Sequence, residues 1–127
     1  MAENTNYSVE IKEASRELTK RERIKFKDYA NSTPIDGQGE DFKVTAKDYV
    51  ILHVINENSD TGEYDILLII DNDGKTYRTS SKSFIQSFID IYKEMTADGD
   101  DEDFEVGVIE IPSKNYANKS YKKCVLI

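Results

Sequence analysis

The residues able to do chemistry in this chain are few. There is one histidine, His53, and one cysteine, Cys124, too few for a zinc site of the usual His/Cys type. A Cys–His nucleophile pair would need an acidic residue to orient the base, and both residues fall in runs that read as strands. The glycines are scattered through turns, so no glycine-rich phosphate loop forms. Asp71-Asn72-Asp73-Gly74 has the composition of a calcium loop, but an EF-hand needs more oxygen ligands and two flanking helices. Here the flanks read as strands, and the segment reads as a hairpin turn. The acidic run from Asp98 to Glu105 reads as a solvated loop. We therefore expect no catalysis, no metal and no cofactor.

What remains is a pattern of cations interleaved with aromatics. Single-stranded nucleic acid needs positive charge for its phosphates and flat side chains for its exposed bases. Tyr77, Arg78 and Lys82 meet that need in one place, Lys114, Tyr116 and Lys119 in another, and Arg23 and Lys25 in a third. The net charge of -8 argues alone against a polyanion partner. Segregation changes this: acid gathers between Asp98 and Glu105, and base between Lys12 and Lys27, at Lys75 to Lys82, and at Lys114 to Lys123. Taken singly, each of these residues fits an ordinary solvated strand face or loop. Their coincidence is what points to a ligand.

The elements that must position them follow from periodicity. Val9 and Ile11 alternate with polar residues, which fits a short strand, and whether Tyr7 to Thr19 joins a sheet stays open. From Arg21 to Asp28, Ile24 and Phe26 share one parity and Arg21, Arg23, Lys25 and Lys27 the other, which predicts a strand with one basic face. Asn31 to Asp41 is a turn-rich linker, and Phe42 and Val44 resume an extended pattern. Tyr49 to Ile55 is a strand apolar on both faces, hence central. Tyr64 to Ile70 is the next strand, and the Asp71–Gly74 turn leads into a short third one. An even-numbered loop there puts Tyr77 on the face of Tyr64, Leu68 and Ile70, with Arg78 opposite; a three-residue loop reverses the two. Ser80, Ser81 or Ser83 caps a helix. Its stripe of Phe84, Ile85, Phe88, Ile89, Tyr92 and Met95 recurs at three- and four-residue spacing. Phe104 to Ile111 and Tyr121 to Ile127 are the closing strands.

That order is the one an OB-fold requires: a five-stranded, partly open barrel with one helix between strands 3 and 4. The expected fold is therefore β-rich, with residues 1–20 as a partly mobile N-terminal extension and 21–127 as a single domain, in keeping with the chain's length. The longest apolar run, Ile66 to Ile70, falls far short of the roughly 20 residues that span a bilayer. No secretory leader pattern opens the sequence. A soluble protein of a reducing, cytoplasmic compartment is expected, with no membrane partner. Cys124-Val125-Leu126-Ile127 has the shape of a prenylation box, but reads better as the end of a closing strand.

Several segments together carry a resemblance. They are Leu18-Thr19-Lys20-Arg21-Glu22-Arg23-Ile24-Lys25, Tyr77-Arg78-Thr79-Ser80-Ser81-Lys82-Ser83-Phe84, Ser87-Phe88-Ile89-Asp90-Ile91 and Ile111-Pro112-Ser113-Lys114-Asn115-Tyr116. From about Leu18 onward the chain resembles small single-stranded DNA-binding proteins of phages and mobile elements of Gram-positive bacteria. The resemblance implies an OB-fold, sequence-tolerant binding of single-stranded DNA, and a role in replication or recombination. Two departures stand out: the chain ends in Lys122-Lys123-Cys124-Val125-Leu126-Ile127 rather than an acidic tail, and it has no tryptophan. Tyr77 and Tyr116 would then stack on bases, with Arg23, Lys25, Arg78, Lys82, Lys114 and Lys119 on phosphates, in a homodimer or higher oligomer. The alternative is an interaction module of the same fold that inhibits or regulates a host protein.

Overall fold

Alternating and doubly apolar runs become strands here, and the 3.6-residue stripe becomes a helix. A computed structural model of the chain describes residues 7–35, 41–56, 62–97, 104–112 and 120–127. Along the sequence come β1 (Tyr7–Ala14), α1 (Lys20–Lys27), a short 3₁₀ turn (Tyr29–Asn31) and β2 (Thr33–Pro34). Then follow β3 (Lys43–Ala46), β4 (Asp48–Asn56), β5 (Glu63–Ile70), β6 (Thr76–Thr79), α2 (Lys82–Thr96), β7 (Phe104–Pro112) and β8 (Ser120–Leu126).

The strands form two sheets, one ordered β1-β4-β5-β6-β2 and one ordered β3-β7-β8. Only Lys47 separates β3 from β4, so one extended stretch passes from the small sheet into the large one. Among the described residues no ladder joins β6 to β8, and the sheets do not close into a barrel. β4 is central, as its two apolar faces require. Tyr49 and Ile51 enter an inner core with Leu67, Ile69, Phe84, Phe88, Val106 and Cys124. Val50, Leu52 and Val54 enter an outer core with Ile66, Leu68, Leu18 and Phe26.

α2 covers the inner face. Ser81 caps it, its hydroxyl accepting from the Phe84 amide, and Phe84, Phe88 and Ile89 are its buried residues. The helix also lies along β8, whose outward backbone groups have no strand partner among the described residues. The Ser83 hydroxyl donates to the Lys122 carbonyl at 2.7 Å, and the Cys124 amide donates to the Ser87 hydroxyl at 2.8 Å. Two helical serines thus satisfy an edge that a neighbouring strand would otherwise take.

The strand expected over Arg21–Asp28 is a helix, α1. Its start is a capping box: the Thr19 hydroxyl accepts from the Glu22 amide while the Glu22 carboxylate accepts from the Thr19 amide. This satisfies two of the donors a helix start leaves free. Arg16 fixes the box by bonding both Glu22 and Asp48. The guanidinium, with the Thr19 amide, holds the Glu22 carboxyl down at about 2. Only Phe26 of α1 is buried, while Ile24, expected beside it on one strand face, is 73% exposed. β1 pairs with β4 from Tyr7 to Ala14, so that part of the stretch before Arg21 joins the large sheet.

The hairpin after β5 has an odd loop. Ile70 pairs with Thr76, leaving Asp71 to Lys75 between them. The Asp71 carboxylate accepts from the amides of Asp73 and Lys75, and Gly74 takes a φ of +82°, a conformation glycine adopts without penalty. The register therefore sets Tyr77 opposite Ile69 on the inner face and Arg78 opposite Leu68 on the outer one. None of the described helices is long and apolar enough to cross a membrane.

Candidate nucleic-acid interface

The odd loop separates two neighbours that the sequence presents as one unit. Tyr77 turns toward the inner core, edge-on to Phe42 with ring centroids 5.5 Å apart, and its hydroxyl donates to Asp71 at 3.1 Å. Burial raises its hydroxyl pKa, and the Asp71 bond adds to this. Arg78 sits on the outer face, where Nη1 donates to the carbonyl of Ser32 and, at 3.2 Å, to its hydroxyl. That contact ties β6 to the segment following α1. Lys114, Tyr116 and Lys119 lie outside the described residues.

Two hollows lie on this outer side, and a third lies past the end of β6 on the inner side, against the start of α2. The first, about 230 Å³, lies between α1 and the sheet and is lined by Lys25, Phe26, Tyr29, Ser32, Leu68 and Thr76 among others. The second, about 200 Å³, is lined by Pro34, Tyr64, Ile66, Arg78, Thr79 and Ser80. The third, about 400 Å³, includes Lys12, His53, Tyr64, Asp65, Ser80, Lys82 and Gln86 in its lining. The last two share Tyr64 and Ser80 because β6 ends at Thr79 while β5 extends to Glu63. By the ladder's alternation, the Asp65 backbone amide and carbonyl face the gap this leaves.

Lys25, Arg78 and Lys82, three of the cations singled out in the sequence, line successive hollows. Arg23 shares α1 with Lys25 but bonds the Leu18 carbonyl at 2.9 Å. The side chains of Lys20, Arg21, Lys25, Lys27 and Lys82 have no hydrogen bond or ion pair among the described residues. The aromatics along the track are Tyr29 and Tyr64, not Tyr77. Tyr64's position has a sequence signal, since an odd hairpin loop places it on the face of Leu68 and Arg78. Tyr29 has none, because it falls between the stretch read as a strand and the linker that starts at Asn31.

The third hollow carries a polar network. His53 Nδ1 lies 2.8 Å from Asp65 Oδ1, its Nε2 lies 3.7 Å from Glu63 Oε2, and Lys12 Nζ donates to Asp65 Oδ2 at 2.8 Å. The bond to Asp65 raises the His53 pKa. Burial pushes Asp65 up, but bonds from His53 and Lys12 outweigh it and the net shift is down. Cys124 is fully buried in the inner core, and burial pushes its thiol up to about 12. The fold thus encloses the cysteine of the prenylation-like tetrapeptide. The chain matches no protein-family model, no curated protein and no solved structure.

Proposed function

We propose that this chain binds single-stranded DNA, with little sequence preference, along a track from α1 over β6 and the open β5 edge to the start of α2. The observation that carries the reading is the order Lys25, Tyr29, Arg78, Tyr64, Lys82 along successive hollows. Cations alternate with aromatics there, on an otherwise acidic protein. Lys25 and Lys82 take phosphates, Arg78 takes a phosphate while bracing the site, and Tyr64 stacks on a base.

An OB-like frame accords with the strand order. β4, β5 and β6 form a meander, α2 follows, and the β7–β8 hairpin returns to pair with β3, the N-terminal continuation of β4. In OB-folds the second and third strands carry oligonucleotides, and these correspond to β5 and β6. The resemblance of its motifs to phage and mobile-element proteins supports a role in replication or recombination.

The test compares two tyrosines. Tyr64→Leu keeps an apolar contact with the outer core but removes the ring, so it should lose about 1–3 kcal/mol of binding to a short oligo-dT, the usual worth of one stacked base. Tyr77→Leu, partly buried against the inner core on the other face, should leave affinity unchanged at matched folded fraction. The reverse ranking in a fluorescence-anisotropy titration would sink the assignment.

A further inference from the structure

Where β6 stops, β5 is left with backbone groups that the sheet does not use. Leu67 pairs with Thr79 and Ile69 with Tyr77, and the Asp71 amide bonds the Lys75 carbonyl in the same series. On the other side of the strand, the Asn56 amide bonds the Gly62 carbonyl. Odd-numbered residues of β5 therefore bond toward β6, and even-numbered ones toward β4. Asp65 is the next odd residue beyond Leu67, and the chain that would meet it has already turned into the cap of α2 at Ser81. The Asp65 amide and carbonyl thus have no partner among the described residues. The hollows on the two faces of the sheet share Tyr64 and Ser80, and the gap beside Asp65 joins them.

We infer that the Asp65 amide and carbonyl hydrogen-bond the Watson–Crick edge of one unpaired base, which enters this gap in the plane of the sheet. The inference rests on the single-strand reading above and adds to it the feature that excludes a duplex. In an extended residue the N–H and C=O point to the same side. Every base carries an adjacent acceptor and donor on its Watson–Crick edge: O4 and N3–H in thymine, N1 and N6–H in adenine, N3 and N4–H in cytosine, O6 and N1–H in guanine. One backbone pair therefore takes any base, and takes none whose edge is already paired. The Asp65 side chain does not interfere. Its carboxylate lies on the inner side, bonded at 2.8 Å to both Lys12 and His53, so its charge is already met. Lys82, lining the same hollow, takes the phosphate, while Tyr64 stacks the neighbouring base. A peptide is the poorer occupant. On this side β5 is open only from Glu63 to Ile66, shorter than most strands, whereas a base needs a single donor–acceptor pair.

Fluorescence anisotropy with the full chain tests this, using oligo-dT and an oligonucleotide of equal length built from N3-methylthymine. The methyl group removes the N3–H and blocks the edge, but leaves the phosphates and the stacking face. The wild type should bind the methylated strand about tenfold more weakly, in keeping with two lost hydrogen bonds, and with the same salt slope. Asp65→Pro removes the amide without touching a bond to β4, a position where a strand tolerates proline, and should bind both strands alike. Asp65→Ala keeps the amide and should keep the preference. Equal affinity of the wild type for the two strands overturns the inference while single-strand binding stands, and this comparison needs no variant to fold. A preference that persists in folded Asp65→Pro, or disappears in Asp65→Ala, overturns it as well. Failure to bind either strand removes the single-strand reading and the inference with it.

Discussion

The two helices cover opposite faces of the same sheet and do so by different means. α2 buries Phe84, Phe88 and Ile89 and lends two serine hydroxyls to the backbone of β8. α1 buries only Phe26, and its docking depends on a capping box, on Leu18 ahead of it, and on Arg16 bridging Glu22 and Asp48. A helix that spends its side chains on the core has only its first residue, Lys82, to offer a ligand. One held chiefly at its first turn keeps Lys20, Arg21, Lys25 and Lys27 available in solvent. The scaffold and the surface of this protein are thus divided between the helices, and perturbing each should give a different phenotype.

The largest effect is expected at α2. Phe88→Ala should cost about 3–5 kcal/mol in denaturant unfolding, the range for deleting a buried aromatic, and should destabilise both sheets together. A loss confined to α1 would contradict the division. Ser87→Ala comes next. It strands the buried Cys124 amide without an acceptor, at about 1–3 kcal/mol, and hydrogen exchange should speed up at Cys124 specifically. Thr19→Ala removes half of the capping box, at about 1 kcal/mol, and its exchange signature should be confined to α1. The same helix carries a pH signature. Glu22 has a depressed pKa because Arg16 and the Thr19 amide favour its ionised form. Its contribution is therefore present above the ordinary carboxylate range and is lost as pH falls toward about 2. Glu22→Gln should flatten that acid limb for the α1 amides and leave the α2 amides unaffected.

The difference between the helices also explains what the sequence discloses. α2 is legible because six apolar residues recur on one stripe and serines precede it. β4 and β5 are legible from their β-branched runs. α1 reads as a strand because Ile24 and Phe26 share a parity, and in eight residues a single buried position cannot establish a period. The signal that matters is Thr19 with Glu22 three residues on, a local rule outranking an accidental alternation. At the site, Arg78 and Lys82 are legible as chemistry, but the face taken by Tyr77 depends on loop parity. Asp71 decides that parity by accepting two amides of the turn, which composition does not reveal. Tyr64 lines the proposed track only because β6 stops at Thr79, and the Ser83 and Ser87 contacts to β8 bridge nearly forty positions. Such long-range placements carry no local pattern.

The central claim is that α1 and the start of α2 present cations to one nucleic-acid strand. Its most direct test is the salt dependence of oligo-dT affinity, measured by fluorescence anisotropy for the wild type, Lys25→Ala, Lys82→Ala and the double variant. Each phosphate contact contributes about 0.7 to the slope of log affinity against log salt for a single strand. The account predicts binding that weakens steeply with salt, a slope reduced by about that amount in each single variant, and by about twice as much in the double. Absence of binding at low salt, or slopes identical across all four proteins, would contradict it.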